Sequence, residues 1–213
     1  MYVNIHSHSG SNSDIHVIRN LTFREADIIF ASKNKGMYSL GFHPWYADNY
    51  SNEFMNKMTE WIKDDRFVAI GECGLDKNSK VSIEEQIKVF ELQIILSENV
   101  QKPMIIHCVG CFNELFEIKK RLNSCQTWII HGFRGKPELA KQATKAGCKI
   151  SFGEHFNEDS VRITPIDQIF LETDESHIPI TEIYHLISVI KKCKENELVA
   201  GENLIKSITP HST

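Results

Sequence analysis

Val3-Asn4-Ile5-His6-Ser7-His8-Ser9-Gly10 takes the chain from a short apolar stretch into two histidines and then into a polar turn. Side chains of a strand alternate between its faces, so His6 and His8, two residues apart, point the same way, and Ser9-Gly10 read as the strand's end. Two imidazoles on one face make part of a metal clamp. Such a pair also arises by chance, so its meaning depends on what the rest of the chain brings to it.

Outward from this stretch, short segments rich in Val, Ile and Phe alternate with longer amphipathic ones, the pattern of parallel strands joined by helices. Strands are predicted at residues 2–8, 16–21, 37–43, 67–72, 104–108, 127–131, 149–152 and 168–172. That number closes an α/β barrel, and a chain of 213 residues suits one such domain, 1–213, with a single large core. Helices are predicted over 52–63 behind Ser51, over 83–99 behind Ser82, over 111–122, over 137–146 with Pro137 at the first position, and over 181–193. Residues 196–213 read as a short helical or irregular tail. Only residues 9–15 lie between the first two strands, too few and too polar for a packed helix. The fold expected is therefore a TIM-type (β/α)8 barrel of the α/β class, trimmed between strands 1 and 2 and near the C-terminus.

A net charge of −4 gives no broad basic field, so a phosphate ligand needs local positive charge from a metal or from a few placed Arg and Lys. The start of the chain has no basic segment followed by an apolar one, and no apolar run is long enough to span a bilayer. A cytoplasmic protein is expected, with no membrane and no obligate protein partner. Six cysteines without a secretion signal read as reduced thiols, and Cys108-Val-Gly-Cys111 as two small packed thiols rather than a zinc or redox pair.

The unusual polar residues gather at one end of the strands. His6 and His8 end the first, His43 the third, Glu72 the fourth, His107 the fifth and His131 the sixth, while Asp174 follows the eighth. In an α/β barrel the C-terminal strand ends share one face, where active sites lie. Apart from His43, these four histidines and two carboxylates form a ligand set for one or two divalent ions such as Zn²⁺, Mn²⁺ or Mg²⁺. Glu72 is placed to bridge two ions, His6, His8 and Asp174 to hold one, and His107 and His131 the other. Asp174 is also a candidate general base for water that the metals activate.

With these residues placed, the chain resembles the TatD family of metal-dependent nucleases. The matching pieces are Asn4-Ile5-His6-Ser7-His8, Gly41-Phe42-His43-Pro44, Gly71-Glu72-Cys73-Gly74-Leu75-Asp76, Pro103-Met104-Ile105-Ile106-His107-Cys108, His131-Gly132-Phe133-Arg134-Gly135, Ile150-Ser151-Phe152-Gly153 and Leu171-Glu172-Thr173-Asp174. They cover most of the chain in the family's order, and the helix carrying Gln86, Phe90 and Gln93 is similar to the one that follows the Glu strand in the family. The resemblance implies a TIM-type barrel, a one- or two-metal centre and hydrolysis of phosphodiester bonds, in DNA in the best-known members. The chain departs from the family's pattern at Asn4, where Asp is usual, and at Arg134, where many members have a small residue.

Around the expected centre, Arg134 is a candidate to fork onto a substrate phosphate, and His43 and His155 are candidates for phosphate contact. Asp76 and Glu172 read as acceptors behind the ligands. Trp45 and Tyr46 form an aromatic lip, suited to base stacking or to anchoring a loop. The same centre on the same barrel also serves small ester, amide or phosphate substrates, and a metal-binding protein without catalysis is a third alternative.

Overall fold

The computed structural model describes residues 1–9 and 15–208. The expected trimming between the first two strands falls on residues 10–14 and so lies outside the described residues, as does the end of the tail with His211.

In chain order the elements are β1 (Val3–Ser7), β2 (His16–Leu21), α1 (Phe23–Ala31), β3 (Met37–Leu40), α2 (Asn52–Trp61), β4 (Phe67–Asp76), α3 (Ile83–Val100), β5 (Met104–Val109), α4 (Phe112–Leu122), β6 (Trp128–Ile130), α5 (Pro137–Lys145), β7 (Cys148–Phe152), α6 (Glu158–Ile163), β8 (Ile169–Leu171), α7 (Ile180–Lys191) and α8 (Ala200–Ile208), with a 3-10 helix at Pro44–Asn49. The strands follow one another in a single sheet in chain order, and the pairs β1–β2, β3–β4, β4–β5 and β7–β8 are parallel. Past β8 the chain returns to β1: Asp174 N–H donates to His6 O at 3.0 Å, and His8 N–H to Asp174 O at 3.3 Å. Eight strands in chain order, separated by helices and with the last joined to the first, have the connectivity of a TIM-type (β/α)8 barrel.

Contacts divide the chain into two compact units, one of Met1–Arg19 and Ile129–Thr213, the other of Asn20–Trp128. Both divisions fall inside strands, in β2 and in β6. The second unit is built on α3, whose buried face carries Val89, Phe90 and Ile94, with Phe90 packed edge-on against Trp128 at 5.4 Å. In the first unit α7 and α8 cover β1. Tyr184 hydroxyl accepts from Val3 N–H and donates to Val3 O, each at 3.2 Å, and burial pushes its pKa up to about 12, which keeps it a donor. A Cβ on Gly201 would stand 3.1 Å from Val3 Cβ, so glycine lets α8 lie close.

Two expectations change. The stretch after β2 forms α1, started by a capping box in which Thr22 Oγ1 accepts Glu25 N–H and the Glu25 carboxylate accepts Thr22 N–H. Only Ala26 and Ile29 of this helix are buried, too few to announce it by periodicity. Arg66 completes its far end, donating to the carbonyls of Ile29, Ser32 and Asn34 at 3.0, 2.9 and 3.1 Å. The fourth strand continues past Glu72 to Asp76. Its glycines at Gly71 and Gly74 have positive φ, and a Cβ on Gly74 would run into the His107 carbonyl, so only glycine carries the strand past β5. Of the tail expected to be short and helical or irregular, Ala200–Ile208 form α8.

Candidate metal centre

In the second unit the centre is built around Glu72. Its backbone N–H donates to Asn20 Oδ1 at 2.8 Å, which ties the end of β4 to β2. Its Oε1 lies 2.8 Å from His107 Nδ1 and 3.3 Å from His43 Nε2. The other nitrogen of His107, Nε2, stands 3.0 Å from Asp76 Oδ2. Asp76 also accepts Trp45 Nε1–H at 2.6 Å and Asn78 N–H at 2.8 Å. Burial alone would raise the Asp76 carboxyl; the donors from Asn78, Trp45 and His107 outweigh it and hold the group below its ordinary value. With the proton of the neutral ring on Nε2, His107 donates to Asp76 Oδ2 and turns its Nδ1 lone pair toward Glu72. In that tautomer Nδ1 and Glu72 would be the atoms to hold a cation.

His43 is placed differently from expectation. It lies beyond the end of β3, as the cap of the 3-10 helix, and its Nδ1 accepts Trp45 N–H at 3.1 Å. In the neutral ring the proton is then on Nε2, facing Glu72. This makes His43 a hydrogen-bond donor at the centre, although its atoms lie within ligand distance of Glu72 and His107.

In the first unit His6, His8 and Asp174 come together as expected, their ligand atoms within 4.8 Å of one another. Asp174 Oδ1 is 3.5 Å from the Nε2 of both histidines. Burial pushes the Asp174 carboxyl up, but His6 and His8 overcome it and hold the group far below the usual carboxylate range. Asp174 adopts φ +53°, a left-handed conformation that Asp tolerates and that presents its carboxylate beside β1. His131 packs its ring 4.4 Å from that of His6, with Nδ1 3.4 Å from Glu172 Oε1. Glu172 is fully buried; its Oε1 accepts Gly132 N–H at 2.6 Å, and its Oε2 has no hydrogen-bond partner among the described residues. A buried carboxylate oxygen left in this state beside His131 and Asp174 suits a bound cation. His107 and His131, expected to share an ion, fall in different units.

Arg134 and His155 are both exposed, on the wall of a cavity of about 260 Å³ in the first unit that Glu172 and Asp174 also line. No disulfide joins the six cysteines, and the ligand groupings among the described residues contain none of them.

A family model described as TatD related DNase matches residues 5–197. The chain belongs to this TatD-related family. It is 30% identical over 145 residues to the 3'-5' ssDNA/RNA exonuclease TatD of Erwinia amylovora, a match that covers 63% of this chain and 56% of that protein. It is 30% identical over 152 residues to an uncharacterized metal-dependent hydrolase of Buchnera aphidicola, covering 67% of this chain and 57% of the relative. The chain thus spans little more than half the length of these relatives. The crystal structure of the TatD homologue YjjV from Escherichia coli K12 superposes with a TM-score of 0.82, covering 98% of this chain and 97% of that one at 18% identity, a likeness of fold.

Within this TatD fold Asn4 does not stand idle in the usual Asp position. Its Nδ2 donates to Thr173 Oγ1 at 2.7 Å, and its Oδ1 accepts Thr173 N–H at 3.1 Å, pinning β1 to the segment that carries Asp174. An amide makes both bonds because it both donates and accepts. Gln86 and Gln93, noted in the sequence only as part of a family-like helix, hold the site's backbone. Gln93 Oε1 accepts Phe42 N–H at 2.7 Å and its Nε2 donates to Phe42 O at 3.2 Å, beside His43. Gln86 Oε1 accepts Asp76 N–H at 2.8 Å and its Nε2 donates to Asp76 O at 3.1 Å. Their signal was present: two polar residues two helical turns apart on the buried face of an apolar helix.

Proposed function

We propose that this chain is a metal-dependent hydrolase that cleaves phosphodiester bonds in DNA, using one or two divalent ions, Zn²⁺, Mn²⁺ or Mg²⁺, held by His6, His8, Glu72, His107, His131 and Asp174. The observation that carries the reading is the pair of His–carboxylate groupings, His6–His8–Asp174 in one unit and Glu72–His107 in the other. The names of the family and of the Erwinia relative support a nucleic-acid substrate. Bound divalent ions supply Lewis-acid stabilisation of phosphoryl oxygens and lower the pKa of water. Around them, Asp76 keeps the His107 proton away from Glu72, His43 offers its Nε2–H, and Asp174, ionised across the neutral range, is the acceptor for the proton that water loses. Arg134 and His155 are the phosphate contacts of the proposal. Reduced cysteines support a cytoplasmic site of action.

Removing metal with a chelator abolishes hydrolysis of single-stranded DNA, and one of the three ions restores it. Glu72→Gln and His107→Ala each lower turnover by about 10²–10⁴-fold while the far-ultraviolet circular dichroism stays unchanged. A variant that retains full activity in chelator overturns the mechanism. The modest cavity favours, as second reading, a small phosphate or carboxylic ester. Preferential hydrolysis of phosphomonoesters or aminoacyl esters over DNA would decide for it.

A further inference from the structure

We propose that Trp45 and Tyr46 form a stacking subsite for an unpaired nucleobase of single-stranded DNA or RNA, set at a fixed offset from His107. The inference rests on the nuclease reading and adds to it what the substrate touches besides its phosphate.

Of the three tryptophans, Trp61 and Trp128 are buried, whereas Trp45 is 52% exposed and Tyr46 beside it 58%. Exposure of single rings is ordinary. What sets Trp45 apart is that it is exposed and yet held. Its indole N–H donates to Asp76 Oδ2 at 2.6 Å, its backbone N–H donates to His43 Nδ1, and its ring meets the His43 ring edge-on at 5.3 Å and 89°. The polar handle of the indole is thus turned inward, and the surface left to solvent belongs to the ring. Tyr46 lies 6.0 Å from the same histidine ring. Anchoring of the loop does not need either ring, because Pro44 and Ala47 are the buried residues of this 3-10 helix.

The Asp76 oxygen that holds the indole is the one that meets His107 Nε2. Trp45 and His107 are therefore positioned by one atom, so a base resting on the indole has a defined distance to a phosphate at the centre. The charge balance points to the same occupant. With a net charge of −4 the chain offers no broad basic field for a phosphate backbone, and the charged group that holds Trp45 is the carboxylate of Asp76. An aromatic platform binds the base rather than the phosphate and needs no cation.

The experiment uses the whole protein in chelator, titrated with an oligothymidylate and with an oligomer of equal length whose terminal residues are abasic. Tryptophan fluorescence and Kd are read. Binding of the base-bearing oligomer is expected to quench the emission of exposed Trp45 and to be about five- to a hundredfold tighter than binding of the abasic one. Trp45→Ala collapses that preference toward unity; Trp45→Phe, which keeps a ring but loses the bond to Asp76, retains part of it. Equal Kd values in the unmodified protein, no binding of the base-bearing oligomer, or a preference that survives Trp45→Ala each overturn the subsite, and the first two need no variant to fold. Hydrolysis without base preference removes the subsite and leaves the nuclease reading. Base-dependent quenching without hydrolysis under any of the three metals does the reverse.

Discussion

Asp76→Asn changes one atom at the junction on which the grouping of Glu72 and His107 in the second unit depends. The carboxylate accepts hydrogen bonds from Trp45, Asn78 and His107 at 2.6, 2.8 and 3.0 Å and is 2% exposed, so water does not replace a lost partner. If the amide nitrogen takes the Oδ2 position it meets two donors, the indole N–H and the His107 N–H; if it takes the other, it meets Asn78 N–H. Either orientation leaves at least one buried donor unsatisfied and turns the remaining bonds from charge-assisted to neutral, for a loss of about 2–4 kcal/mol. In a chain of this size that lowers the melting temperature by about 4–16 °C. The Nε2 proton of His107 is no longer held, and metal affinity falls by about 10–100-fold. Differential scanning calorimetry measures the first effect and metal titration calorimetry the second. A variant with unchanged melting temperature and unchanged metal affinity would falsify the assignment of Asp76 as the group that orients His107.

Three further expectations follow from other elements. Asn4→Ala removes both bonds to Thr173 and leaves its buried N–H unsatisfied, costing about 2–3 kcal/mol in urea unfolding; a loss below about 0.5 kcal/mol would show that β1 is held by packing alone. Arg66→Met takes the donor from three carbonyls at the end of α1 and the partner from Asp64, a loss of about 2–4 kcal/mol. The hydrogen bond from Arg66 holds the Asp64 carboxyl below its ordinary value of 3.8, so the pair contributes stability that is present above that pH and is lost as pH falls through the lowered value. The Met variant should therefore show a flatter acid limb in its stability–pH curve, and an unchanged limb refutes the linkage. Because β2 and β6 each belong to both units, the chain is expected to unfold in one calorimetric transition with equal calorimetric and van't Hoff enthalpies; two resolved transitions would instead mark separate domains.

Local pattern was enough for the strand framework. Alternating or continuous apolar runs locate all eight strands, because the pleat repeats every two residues and a buried strand must be apolar along its length. The same local reading found the six proposed ligands, since each stands at or near a strand's C-terminal end, and it found the stretch from Val3 to Gly10 that begins the series. It failed where a residue's role depends on a partner far along the chain. Gly71 and Gly74, on either side of Glu72, look like a strand's end until β5 is beside them, and α1 buries too little to show a period.

His43, expected to touch a phosphate, turns one nitrogen to the N–H of Trp45 and the other toward Glu72, and Asp76, expected as an acceptor behind the ligands, takes the indole and His107 on one oxygen. The sequence by itself therefore determined the class of fold, the order of its strands and the chemistry of the ligands, because those follow from periodicity and residue type. Only the tertiary structure decided which nitrogen faces the centre, which side chains hold the backbone behind it and which ring stays exposed. Those depend on directional hydrogen bonds, whose partners are set by the packing of segments that are remote in sequence.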